Sequence, residues 1–263
     1  LRQSRSPVDR SVDHLVITPT GRPCATPGSG MLRGEHAPWL VPHPMTDLFA
    51  SLHAALTALP PLPGCFNPWQ SANADDSDDN GAEQRRTRLA THAARPIRLV
   101  LIGEAAGYQG CRISGMAFTS EALLIDGSIP GLEATPRLST RAKPWSEPSA
   151  RVVWRTLYAQ RLAESTFLWN AFPLHPHEPG KPLSNRTPTR TELAAGEPVL
   201  RALRNALPDA VLAAVGNKAA EALTRLGYAH EALRHPAYGG VPEFVAGVEA
   251  LALRLRRKPG ARR

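Results

Sequence analysis

Three short apolar runs decide what this chain can fold into. Ile97-Arg98-Leu99-Val100-Leu101-Ile102 stops at Gly103, Thr166-Phe167-Leu168-Trp169 stops at Asn170, and Val211-Leu212-Ala213-Ala214-Val215 stops at Gly216. Each has the length of a strand and lacks the polar alternation of a sheet with one wet face, so each reads as a strand buried on both sides. Helical segments lie between them. Ser149 to Leu162 reads as a helix capped by Ser149 and burying Val153, Trp154, Leu157 and Leu162. Thr189-x-x-Glu192 is a capping box opening a helical region that restarts near Pro198. Gly216-Asn217-Lys218 turns the third strand into a helix from Ala219 to Leu226. A short strand at Ala232 and Leu233 precedes His235-Pro236, and a helix from Pro242 to about Arg257 follows. Strands alternating with helices predict a three-layer α/β/α sandwich around a central four-stranded, mainly parallel sheet. No internal repeat is visible.

The flanks are less regular. Residues 1–44 mix Pro, Gly, Ser and Arg without periodicity, with Met31 and Met45 both usable as starts, and read as a disordered or non-native extension. Thr46 is placed to cap a helix from Asp47, in which Leu48, Leu52, Leu56 and Leu59 recur before Pro60. Residues 45–257 are expected to form one domain, with its core from 97 onward and a basic tail at 258–263. The stretch 60–95 reads as loop. In it Asp75, Asp76, Asp78 and Asp79 precede Arg85, Arg86 and Arg88, and a solvated loop accounts for them better than a metal site.

Charge narrows the partners. With 31 basic against 23 acidic residues the net charge is +8, which suits a polyanion whose counterions Lys and Arg displace. A solvated basic surface accounts for it equally well. The three cysteines, Cys24, Cys65 and Cys111, include no Cys-x-x-Cys pair and cannot supply the four thiolates of an iron–sulfur cluster. A reducing cytoplasm fits best. No apolar stretch approaches 18 residues, and Arg2, Arg5 and Arg10 are not followed by the apolar core of a secretory signal. His175-Pro176-His177 with Glu178 lacks a third ligand at useful spacing, so no metal is expected. No phosphate-binding glycine motif of the usual nucleotide folds occurs.

In open parallel sheets ligands bind beyond the carboxyl ends of the strands. Here those ends carry Gly103-Glu104-Ala105-Ala106-Gly107-Tyr108, Asn170-Ala171-Phe172-Pro173, Gly216-Asn217-Lys218 and Arg234-His235-Pro236-Ala237. If the strands are parallel, all four loops meet at one crevice.

These segments resemble the motifs of the uracil-DNA glycosylase superfamily. Leu99 to Gly107 is similar to a strand followed by the Gly-Glu-Ala-Pro-Gly motif of its iron–sulfur-type branch. Ser114 to Ser120 is similar to the segment carrying the phenylalanine that stacks on uracil, Asn170 to the strand-end asparagine that reads the base, and Asn185 to Thr189 to an Asn-Arg-x-Pro stretch. Arg234-His235-Pro236 resembles the last motif, whose histidine contacts the departing base. The order holds from about residue 97 to 255. Ala106 replaces the usual proline, Ala105 stands where the best-studied members place a water-activating aspartate, and Gly110-Cys111-Arg112 and Met116-Ala117 also differ. The missing cysteines make this a cluster-free relative.

The resemblance implies a monofunctional glycosylase that flips uracil, or a related deaminated base, out of single- or double-stranded DNA and cuts its N-glycosidic bond with water. His235 would donate to the anion developing on the base, and such donors are worth about 10²–10³ in rate. Glu104 would position the attacking water or stabilise the sugar cation. Asn170 offers the donor and acceptor that read an imide edge. Phe118 would stack on the base beside Gly103, with Tyr108 as a second wall. Asn217 and Lys218 at a helix start would hold phosphate, and Tyr238 with Gly239 would probe the minor groove. No cofactor is implied, and a cytoplasmic, nucleoid-associated monomer is expected. Ordinary structural roles remain open for each of these residues: a carbonyl-bonding histidine, a helix-start glutamate, a turn asparagine, a core phenylalanine. Two alternatives also stand, a catalytically weak DNA-binding relative of the same fold and a small-nucleotide-binding α/β protein.

Overall fold

The structure, a computed structural model, describes residues 47–257. The expected extension at 1–44, the cap at Thr46 and the tail at 258–263 lie outside them. Asp47 caps the first helix itself: its carboxylate accepts the Ala50 N–H at 3.1 Å, and α1 (Leu48–Thr57) buries Leu48, Leu52 and Leu56.

The stretch read as loop contains β1 (Cys65–Phe66) and a full helix, α2 (Ala82–Ala93). The buried face of α2 is Arg85, Arg88, Leu89 and His92, so no apolar period announces it. Its arginines are fastened to carbonyls. Arg85 bonds Pro68 O and Ser71 O, Arg86 bonds Trp69 O, and Arg88 bonds Ser114 O. Asp76 is therefore not part of a solvated loop. Its buried carboxylate pairs with Arg85 at 2.8 Å and accepts from Asn73 N–H and Asn80 Nδ2.

The central elements follow as β2 (Leu99–Ala105), α3 (Cys111–Ser114), α4 (Glu121–Ile125), α5 (Pro148–Ala159), β3 (Thr166–Phe172), β4 (His175–Pro176), α6 (Arg190–Ala206), β5 (Val211–Val215), α7 (Asn217–Arg225), β6 (Glu231–Leu233) and α8 (Val241–Arg257). Three expectations are corrected. Pro148 occupies the first position of α5 with Glu147 as the cap residue, while the Ser149 hydroxyl donates to the Glu147 carboxylate. β3 runs on to Phe172, so Asn170 sits inside the strand and not at its end. α6 crosses Pro198 without a restart, opened by the expected capping box: Glu192 N–H to Thr189 Oγ1 at 3.2 Å and Thr189 N–H to Glu192 Oε2 at 2.7 Å.

The four-stranded sheet has the order β3-β2-β5-β6 with every pairing parallel. On one face Leu99, Leu101, Leu168, Ala213 and Val215 pack with Val153, Trp154 and Leu157 of α5 and Phe244, Val248 and Leu251 of α8. On the other Val100, Ile102, Phe167, Trp169, Leu212 and Ala214 pack with α1, α6 and α7 through Leu52, Leu56, Val199, Leu203 and Leu223. Each large apolar side chain so buried contributes about 1.5–3 kcal/mol, which explains why the strand runs were readable. The result is the expected three-layer α/β/α sandwich. β1 and β4 form a separate antiparallel pair, Cys65 facing Pro176 and Phe66 facing His175. No helix among the described residues is long and apolar enough to cross a membrane.

Candidate active site

Gly103 and Asn170 face each other across β2 and β3. A Cβ at Gly103 would lie 2.7 Å from Phe118 Cζ and 2.8 Å from Asn170 Oδ1, so only glycine lets these two side chains close over the strand. Phe118 reaches that position on a left-handed backbone, φ 49°, which costs a non-glycine residue about 1 kcal/mol or more. Asn170 is almost fully buried, and its amide has no hydrogen bond to any other described residue.

His235 comes from the far side of the sheet. Its ring centroid is 6.3 Å from that of Phe118. Behind it stand two glycines: Gly216, at the end of β5 with φ 91°, whose Cβ would meet His235 Cβ at 3.4 Å, and Gly240, whose Cβ would overlap the His235 carbonyl. The Ala237 N–H donates to His235 Nδ1 at 3.1 Å. Burial, and then the charge of Arg234, hold the imidazole below its ordinary pKa of 6.5. At neutral pH the ring is therefore uncharged, with its proton on Nε2. That N–H has no partner among the described residues, and its ring adjoins Phe118, which closes over Gly103 beside Asn170.

Glu104 is placed differently. The pleat sends the Cβ atoms of Val100, Ile102 and Glu104 to the face opposite Gly103. One carboxylate oxygen of Glu104 is buried with no hydrogen-bond partner among the described residues, and no hydrogen bond links it to Asn170 or His235. Tyr108 stands further along the same loop, its N–H bonded to Asn185 Oδ1 at 3.0 Å and its ring edge-on to Trp145 at 5.4 Å. Asn217 and Lys218 form the exposed first turn of α7, with Lys218 paired to Glu221 at 2.9 Å. Tyr238 is 98% exposed on a left-handed backbone, φ 52°, beside Gly239 at φ 76°.

The histidines and the glutamate weighed above as a metal set lie among structural contacts: His177 Nδ1 bonds Glu178 O and Glu178 N–H bonds Ser184 Oγ. His175 is buried, accepts from Arg112 Nη1 at 3.0 Å and donates to Ser184 O at 2.7 Å. Arg186 is held by Glu192 at 2.6 Å. Among the described residues no group of three or more His, Cys, Asp or Glu side chains is arranged to hold a metal. Trp145 stands in no motif, and although Asn185 opens the Asn-Arg-x-Pro stretch, its bond to Tyr108 spans 77 residues and no local pattern reports it.

The sequence model of the uracil DNA glycosylase superfamily matches residues 92–243, more than half of the chain and every position just described from Gly103 to Tyr238. The chain belongs to the uracil DNA glycosylase superfamily. Members of this superfamily are glycosylase hydrolases of DNA repair, so DNA is the partner of this chain in general terms. The fold is similar to that in the crystal structure of wild-type SMUG2 from Pedobacter heparinus, with a TM-score of 0.57, 15% identity, and coverage of 81% of this chain and 100% of that one. No curated protein matches the chain by sequence.

Proposed function

We propose that this glycosylase hydrolyses the N-glycosidic bond of uracil, or a closely related deaminated base, extruded from DNA. The supporting observation is the pair of unspent polar groups, the buried Asn170 amide and the His235 Nε2–H, beside the Phe118 ring at the carboxyl edge of the sheet. In such a site Phe118 stacks on the base and Asn170 reads its O4 and N3–H edge. As the C1′–N1 bond breaks, its electrons pass to the base, and a neutral His235 stabilises the anion at O2 by hydrogen bonding. Water then attacks C1′. Glu104, with one buried and unpartnered oxygen, is the candidate to hold that water or to offset the sugar's positive charge. Tyr238, exposed on its strained turn, fills the space left in the duplex, which offsets part of the few kcal/mol of unstacking. Asn217 and Lys218 supply backbone contact.

Uracil-containing oligonucleotides treated with enzyme and then alkali test this. Cleavage at the uracil is expected, with His235→Ala and Asn170→Ala each at least tenfold slower. Wild-type rates in both variants, or no abasic site with any deaminated base, would overturn the reading. A second reading, a DNA-binding relative of low catalytic power, is favoured by the placement of Glu104 on the opposite pleat from Asn170, with Ala105 beside it. Tight binding to uracil-containing DNA without release of free base would select it.

A further inference from the structure

The loop after β2 is fastened to a single distant segment at two points. At its start the Tyr108 N–H donates to Asn185 Oδ1 at 3.0 Å. Just past its end, Arg112 in α3 donates to Nδ1 of the buried His175, whose Nε2–H donates to Ser184 O, the residue before Asn185. Within the loop, Gly107 O accepts from Gly110 N–H and Arg112 N–H, so the turn is closed on itself and needs these ties only to fix where it stands. The segment that receives them is itself tied down by hydrogen bonds. Arg186 N–H bonds Pro176 O, and its guanidinium grips His177 O and Glu192, which is itself part of the capping box of α6.

Tyr108 is supported on its other side as well. Its ring meets the edge of Trp145, and the Trp145 N–H is held at 2.8 Å by Glu121. That carboxylate is fully buried and also accepts from Leu138 N–H, Ser139 N–H, the Ser139 hydroxyl and Arg137 Nε. Burying a carboxylate is costly unless its lone pairs are filled, and here it organises a loop that ends against Tyr108. Two independent devices thus converge on one partly exposed tyrosine at the carboxyl edge of the sheet.

We infer that Asn185 is a positioning residue for base selection: by fixing the Tyr108 backbone against the Trp145 support, it sets how much room the pocket leaves beside the extruded base. The inference rests on the proposed reading of Tyr108 as a wall of a uracil pocket. A held wall rejects a pyrimidine carrying an extra methyl group, and a released wall yields to it.

Wild type, Asn185→Ala and Asn185→Asp are compared on duplexes carrying uracil or thymine opposite guanine, and by hydrogen exchange at the Tyr108 amide. Asn185→Ala is expected to speed exchange at least tenfold and to lower the uracil-over-thymine ratio of kcat/KM at least fivefold. Asn185→Asp still accepts the N–H and is expected to restore both to within about twofold. The ratio cancels any effect of the new charge on DNA affinity, since both duplexes carry the same phosphates. A purely structural role predicts equal losses on both bases, and that result, or an unchanged ratio in Asn185→Ala, overturns the inference. If wild type releases neither base, the uracil reading fails by itself. The exchange arm then still decides the tie: protection in wild type and Asn185→Asp but not in Asn185→Ala supports it, and equal exchange in all three overturns it.

Discussion

Gly103 shows how closely single atoms govern this site. With Phe118 and Asn170 both within 3 Å of where its Cβ would stand, Gly103→Ala forces one of them away. A loss of about 1–3 kcal/mol in urea unfolding is expected, together with at least tenfold slower uracil release. Near-normal stability and activity would show that the two side chains are not packed over the strand as described. His175 carries a pH prediction. Burial lowers its pKa from 6.5 to about 4, so the unfolded chain takes up its proton before the native one does. The stabilising effect of the neutral ring is complete above pH 6.5 and is lost as pH falls toward 4, by about 3 kcal/mol. Unfolding free energies measured across that window in wild type and His175→Gln should diverge from each other. Parallel curves would mean that the ring titrates normally in the folded protein.

Among the elements, the four strands of the main sheet were legible, whereas α2, the short α3 and α4 and the small β1–β4 pair were not. Val211–Val215 matches its apolar run residue for residue, because a strand covered on both faces leaves no room for polar alternation. α2 was hidden because three of its four buried residues, Arg85, Arg88 and His92, are polar. Their meaning depends on Asp76 and on carbonyls from other loops, which no local pattern reports. The site divides in the same way. Phe118, Asn170 and His235 stand in recognisable motifs, whereas the tie from Asn185 to Tyr108 and the opposite pleat of Glu104 emerge only from the folded chain. Asp76→Ala tests the α2 anchorage. It leaves the Arg85 guanidinium buried without its carboxylate, and a loss of about 3–5 kcal/mol is expected from denaturant titration. A change below 1 kcal/mol would show that the carbonyl bonds alone suffice.

At the scale of the whole molecule the parallel pairings put the carboxyl ends of all four strands at one sheet edge, and the basic surplus bears on how DNA reaches it. Affinity for a uracil-containing duplex should fall on raising salt, with a log–log slope near −0.9 per phosphate neutralised. Lys218→Ala should reduce that slope by about one if its ammonium leaves Glu221 for phosphate, and an unchanged slope would remove it from the interface. Tyr238→Ala should slow uracil release from duplex DNA at least fivefold and leave single-stranded substrate within twofold, because only the duplex has a vacated stack to fill. Equal effects on both would place Tyr238 elsewhere in the mechanism.

The fastening of α2 has a wider consequence. Its guanidiniums mostly grasp peptide oxygens, and a peptide oxygen is the same whatever residue bears it. The receiving loops can therefore exchange most of their side chains without loosening the helix. A scaffold anchored in this way tolerates wide divergence of sequence in those loops while its architecture stays put.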